Sequence, residues 1–123
     1  AAGMTDRDYE SLLPRVLVAL YPEEEVRRNV VDRLSAYGTE SWHAGRARVH
    51  LGILKLAWSQ PGKLDEFVQL ACQDYRDLLC AAEYPLSSRD YRLKEQDPEK
   101  YRQYQEEERA RYDVWLSQVL SAN

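Results

Sequence analysis

Two histidines, two cysteines and one awkwardly placed aspartate are the side chains through which this chain could do chemistry. His43 and His50 lie seven residues apart on one face of an expected helix, about 10.5 Å along its axis. That is too far for both to ligate one metal ion at about 2 Å each, so a metal site would have to recruit carboxylates from other helices, and none is expected. Asp74 falls in a further helical stretch with Phe67, Leu70, Ala71, Leu78 and Ala81 as angular neighbours, at the edge of the apolar face. An ionised carboxylate there needs a partner. His50, between Leu54 and Ala57 on its own helix, is one candidate; Arg46 or a helix N-terminus is another. A His50 and Asp74 pair could act as a general base, but no Ser or Cys nucleophile is placed beside it, and a structural hydrogen bond is the expectation. Trp42, His43, His50 and Asp74 together form the candidate pocket of a small-molecule binder or minor enzyme.

The motifs of established chemistries are absent: no Gly-rich phosphate loop, Gly-x-Ser-x-Gly, His-Glu-x-x-His or Cys-x-x-Cys occurs. No catalytic residue and no cofactor are therefore expected. Cys72 and Cys80, eight residues apart in a helical pattern, are about 12 Å apart and cannot bridge each other. Two unpaired thiols fit a reducing compartment, which predicts a cytoplasmic protein. No charged stretch followed by an apolar core opens the chain, so no signal peptide is expected, and Ala1, Ala2 and Gly3 ahead of Met4 read as a cloning remnant.

The remaining signal is aromatic. Nine Tyr and three Trp stand among 123 residues, and Tyr91, Tyr101, Tyr104, Tyr112 and Trp115 lie in the charged C-terminal third. Tyr and Trp beside Arg are typical of protein interfaces. Tyr101, Arg102 and Tyr104 are accordingly the candidate partner contact, for another protein or for a second copy in a homodimer. The same rings could equally pack their helix onto its own bundle. Nucleic acid is not an expected partner, because the net charge is −4 and the basic residues form no stripe. A membrane is not expected either, since no apolar run approaches about 20 residues.

The elements that must position these groups are helical. Five Gly and five Pro leave little material for the many turns of an all-β chain. Tyr9, Leu12, Leu13, Val16, Leu17 and Leu20 repeat at helical spacing, with Pro14 either in the first turn or at a kink and the start blurred between Asp8 and Ser11. Pro22 with Glu23, Glu24 and Glu25 opens a second helix that runs to Tyr37, with Val26, Val30, Leu34 and Tyr37 inward and Gly38 as its stop. A third helix runs from a Ser41 cap to Trp58. Lys55 is the only charge between Val49 and Trp58, and only the sector of Arg48, Gly52 and Lys55 is polar or bare, so this is the central helix. After Pro61 and Gly62 a fourth helix carries Leu64, Phe67, Val68, Ala71, Tyr75, Leu78, Leu79 and Ala82 inward. From Leu86 to Asp113 the chain holds 15 charged residues in 28. There it reads as a connector, then a long helix from Asp97 and Pro98 to Leu120 whose apolar stripe Glu108 interrupts.

The strings VHLGILKLA, residues 49–57, and DYRDLLCAAEYP, residues 74–85, resemble a family of short bacterial all-helical proteins with no known activity. The likeness covers about residues 5–85 and implies an all-helical bacterial cytosolic protein, without functional residues to carry over. The resulting expectation is an all-α, single-domain bundle of four or five helices. Residues 5–85 form the core, and 86–123 are a charged connector and long helix packing on the core or on a partner. The expected function is a non-enzymatic interaction module, self-associating, with the small-molecule pocket as the alternative.

Overall fold

The computed structural model describes residues 4–60, 62–85 and 92–121. Their regular structure is helical throughout, as the composition predicts, but it comprises seven helices where four or five are expected. These are α1 (Asp6–Leu20), α2 (Glu24–Leu34), α3 (Arg46–Ser59), α4 (Leu64–Gln73), α5 (Tyr75–Glu83), α6 (Leu93–Gln96) and α7 (Pro98–Ser121). Pro61, and Tyr91 within the expected connector, lie outside the described residues.

Each departure has a local cause. The start of α1 is fixed by a reciprocal cap: the Asp8 amide donates to the Thr5 hydroxyl and the Thr5 amide to the Asp8 carboxylate. Pro14 therefore lies in the helix interior, with its ring exposed. The expected fourth helix divides because Asp74 takes an extended conformation (φ −156°, ψ 94°) and accepts the amides of Arg76 and Asp77. Aspartate competes with the helix for backbone donors, and here it ends α4 in order to cap α5. It is not a mid-helix residue beside the apolar stripe. α2 stops at Leu34 instead of Tyr37, and residues 35–38 form a tight turn that ends at Gly38 (φ 118°). Val26, expected inward, is 44% exposed.

α3 starts at Arg46, five residues after the expected Ser41 cap. Gly45, at φ 56°, sits in the left-handed region before the first turn. The His43 ring holds the preceding loop, its Nδ1 accepting the amides of Gly38 (2.8 Å) and Glu40 (3.3 Å). The two histidines are thus not on one helix, and their expected shared face does not exist.

The centre is as the sequence predicts. Val49, Leu51, Ile53 and Leu54 of α3 retain no exposure, and α3 packs against α1, α4 and α5. α7 closes the bundle, with Tyr112, Leu116 and Val119 entering the same core. α2 is held more loosely, burying only Val30 and Leu34. Among the described residues no helix is long and apolar enough to cross a membrane.

Candidate functional site

Three of the four expected pocket residues meet at the loop between α2 and α3, and what they build is a packed aromatic run. Tyr37 is its centre: fully buried, it donates its hydroxyl to the Ala44 carbonyl (2.7 Å). Its ring stacks on His43 (centroids 4.3 Å apart, 19°) and meets His50 edge-on at 6.2 Å. Trp42 packs edge-on against His43 at 4.2 Å and stays half exposed. Because His43 Nδ1 accepts two amides, its hydrogen is on Nε2, which is buried without an acceptor among the described residues. His50 Nε2 donates to the Tyr37 carbonyl (3.0 Å), and burial lowers its pKa, so it is a neutral imidazole at pH 7.

Asp74 takes no part in this run beyond preceding Tyr75, whose ring lies 6.4 Å from Tyr37. The expected His50 and Asp74 pair does not form, because a backbone carbonyl holds the imidazole and helix amides hold the carboxylate. The Cys72 thiol borders the run, donating to the Ala36 carbonyl (3.6 Å). Among the described residues no group of three His, Cys, Asp or Glu is placed to hold a metal ion. Cys72 and Cys80 are free, on α4 and α5, and burial raises both thiols.

His50 does reach one opening. A cavity of about 250 Å³ between α1 and α2 is floored by Leu13, Pro14, Leu17, Val31, Leu34 and Ala47, with Glu10, Arg46 and His50 around it. It shares Pro14, Leu17 and Val31 with a wider cleft of about 540 Å³ that continues between α1 and α2 past Val18, Arg28 and Asp32. On the opposite flank of α2 a third cleft, of about 620 Å³, lies among Tyr21, Val26, Asn29 and Trp58. Trp42, His43 and Asp74 line none of the three.

A half-buried charged cluster, not expected from the sequence, joins α3 to α5. Arg48 of α3 donates from Nε (2.9 Å) and Nη2 to the Glu83 carboxylate of α5. Two turns along α3, Lys55 donates to the Ala82 carbonyl (2.7 Å) and lies 5.8 Å from the Tyr112 ring centroid. Gly52 lies between them, where an added Cβ would come within 3.2 Å of Ala82 Cβ. Its bare surface is what lets α5 come close. The Glu83 carboxylate holds Arg48 charged, whereas burial lowers Lys55 and raises the Tyr112 phenol. With Arg48 on the Glu83 carboxylate and Lys55 on the Ala82 carbonyl, the cluster ties α3 to α5. Its signal was present in the polar sector of Arg48, Gly52 and Lys55 on an otherwise apolar helix, and in Glu108, which is buried.

The candidate partner contact lies on the first turns of α7, where Tyr101 and Arg102 have polar partners within the helix. Gln105 donates to the Tyr101 hydroxyl (3.2 Å), Arg102 bridges Glu99 and Glu106, and Lys100 lies 5.8 Å from the Tyr104 ring centroid. Tyr101 and Tyr104 are half-buried. Compared with known proteins, the chain matches no family model, no curated protein and no solved structure, so no residue role is carried over from a relative.

Proposed function

We propose that the protein is a non-enzymatic interaction module that works through protein contacts, self-association among them. The observation that carries this reading is α2. It has eleven residues and buries two, while Val26 and Val31 stay 44% and 43% exposed beside open clefts. A helix of that length is marginal in water unless packing holds it. Val18 of α1, also exposed, faces the same cleft as Val31 and widens the aliphatic surface. Scattered exposed aliphatics are ordinary, but a contiguous groove with an apolar floor is a docking geometry for a helix. At the Tyr101 end, by contrast, the polar groups already have partners within α7. Free thiols at Cys72 and Cys80 support a reducing, cytoplasmic setting.

The small-molecule alternative has one observation in its favour, the apolar cavity where Glu10, Arg46 and His50 converge. Sedimentation velocity over a concentration series separates the readings. A concentration-dependent dimer is expected. A chain that stays monomeric throughout, and is stabilised against heat by small amphipathic carboxylates, would overturn the interaction reading in favour of the pocket.

A further inference from the structure

The exposed side of α2 carries a charge order that matches its own reverse. Glu24, Arg28, Val31, Asp32 and Ser35 recur at three- and four-residue steps and border the α1/α2 cleft. Arg28 is paired within the helix to Glu24 (2.8 Å), one turn before it, which leaves the Asp32 carboxylate, one turn after it, without an ion pair among the described residues. Both side chains of the Arg28 pair are more than two-thirds exposed. Val31 sits between Arg28 and Asp32 on the same face and is 43% exposed.

Resting on the self-association reading, we infer that the occupant of this cleft is a second copy of the chain, docked α2 against α2 in antiparallel orientation about a twofold axis at residue 30. An antiparallel pair with that axis places each residue opposite the one whose number makes 60 with its own. Arg28 then meets Asp32 of the other copy, and symmetry supplies the same contact twice. Val31 is one residue from the axis, so the two Val31 side chains lie about 3 Å apart along the helix direction, on one flank of the charge pairs. Each copy's α2 enters the cleft bordered by Pro14 and Val18 of the other. Parallel pairing in register would instead set Arg28 against Arg28 and Asp32 against Asp32, a repulsion the antiparallel arrangement avoids. The cleft's apolar floor supplies burial, and the charge order fixes direction and register.

The test uses charge reversal in the full chain, read by sedimentation velocity, with circular dichroism to show that each variant folds. The parent is expected to dimerise. Asp32→Arg alone makes the facing groups all basic and Arg28→Asp alone makes them all acidic. Each is expected to raise the dissociation constant about 100-fold, as about tenfold for each of two like-charge contacts. An equimolar mixture of the two variants places Arg opposite Asp at both contacts, so it is expected to form a heterodimer with close to the parent affinity. Val31→Arg, which opposes two cations at the axis, is a second disruptive variant that does not depend on the charge pair. If either single reversal dimerises as the parent does, or the mixture stays monomeric, the α2 pairing is overturned while a dimeric parent still supports an interaction module. A parent that is monomeric at every concentration overturns both.

Discussion

Replacing Glu83 by Gln tests whether the half-buried cluster clamps the bundle. The change keeps shape and volume but removes the charge that faces Arg48 and lies in the field of Lys55. Glu83's side chain is 8% exposed and Arg48's 36%. Breaking a fully buried pair by neutralising one partner costs about 3 to 5 kcal/mol, because the other charge is left in low dielectric. Water reaches Arg48 here and screens part of that cost, and Gln can still accept one of its two hydrogen bonds. The expected loss is therefore about 2 to 3 kcal/mol. For a chain of this length that lowers the melting temperature by about 10 °C, a large part of a domain's margin. Thermal and urea unfolding followed by circular dichroism measure it. The Arg33 and Asp65 pair is the internal control. It has the same two-bonded geometry, but both side chains are more than a third exposed, so Asp65→Asn is expected to leave the melting temperature close to the parent's. Glu83→Gln melting at the parent temperature would refute the clamp.

Three further outcomes follow from the same structure. Ile53→Ala or Leu54→Ala empties a fully buried site in α3 and is expected to cost about 2 to 5 kcal/mol in urea unfolding; midpoints equal to the parent's would make α3 peripheral. Asp74→Ala removes the α5 cap at a cost of about 1 kcal/mol, while Asp74→Asn retains most of it, and equal losses for the two would deny the capping role. His50 has a lowered folded pKa, so below its unfolded value of about 6.5 the unfolded state binds a proton the folded state resists. Its contribution to stability is thus present above pH 6.5 and falls away towards the folded pKa. Urea midpoints measured between pH 7 and pH 5 should decline less for His50→Gln than for the parent, and parallel declines would be inconsistent with this assignment.

The helical class and the buried centre were legible without coordinates. Periodicity reports which residues of a regular helix share a face, and the run from Val49 to Trp58 with one charge could belong only to an element surrounded on most sides. Where a side chain accepted hydrogen bonds from backbone amides, the helical pattern misled. Asp74 sits in a stripe that continues smoothly through it, and only the competition of its carboxylate for the amides of Arg76 and Asp77 divides α4 from α5. His43 reads as helical, but its ring holds the amides of Gly38 and Glu40, and α3 starts only at Arg46. Val26 shares a stripe with Val30 and Leu34, yet periodicity does not say how wide the neighbouring helix is, and α2 meets its neighbours over too narrow a strip to cover all three. Arg48, Gly52 and Lys55 were identified as an odd polar sector, but their partners lie 27 to 35 residues along the chain. The sequence by itself set which faces are apolar and hence the all-helical bundle with α3 inside it, because burial depends on local spacing. Tertiary structure alone decided which polar groups meet, because a hydrogen bond between Arg48 and Glu83 depends on how α3 and α5 cross, and no spacing within either helix encodes that.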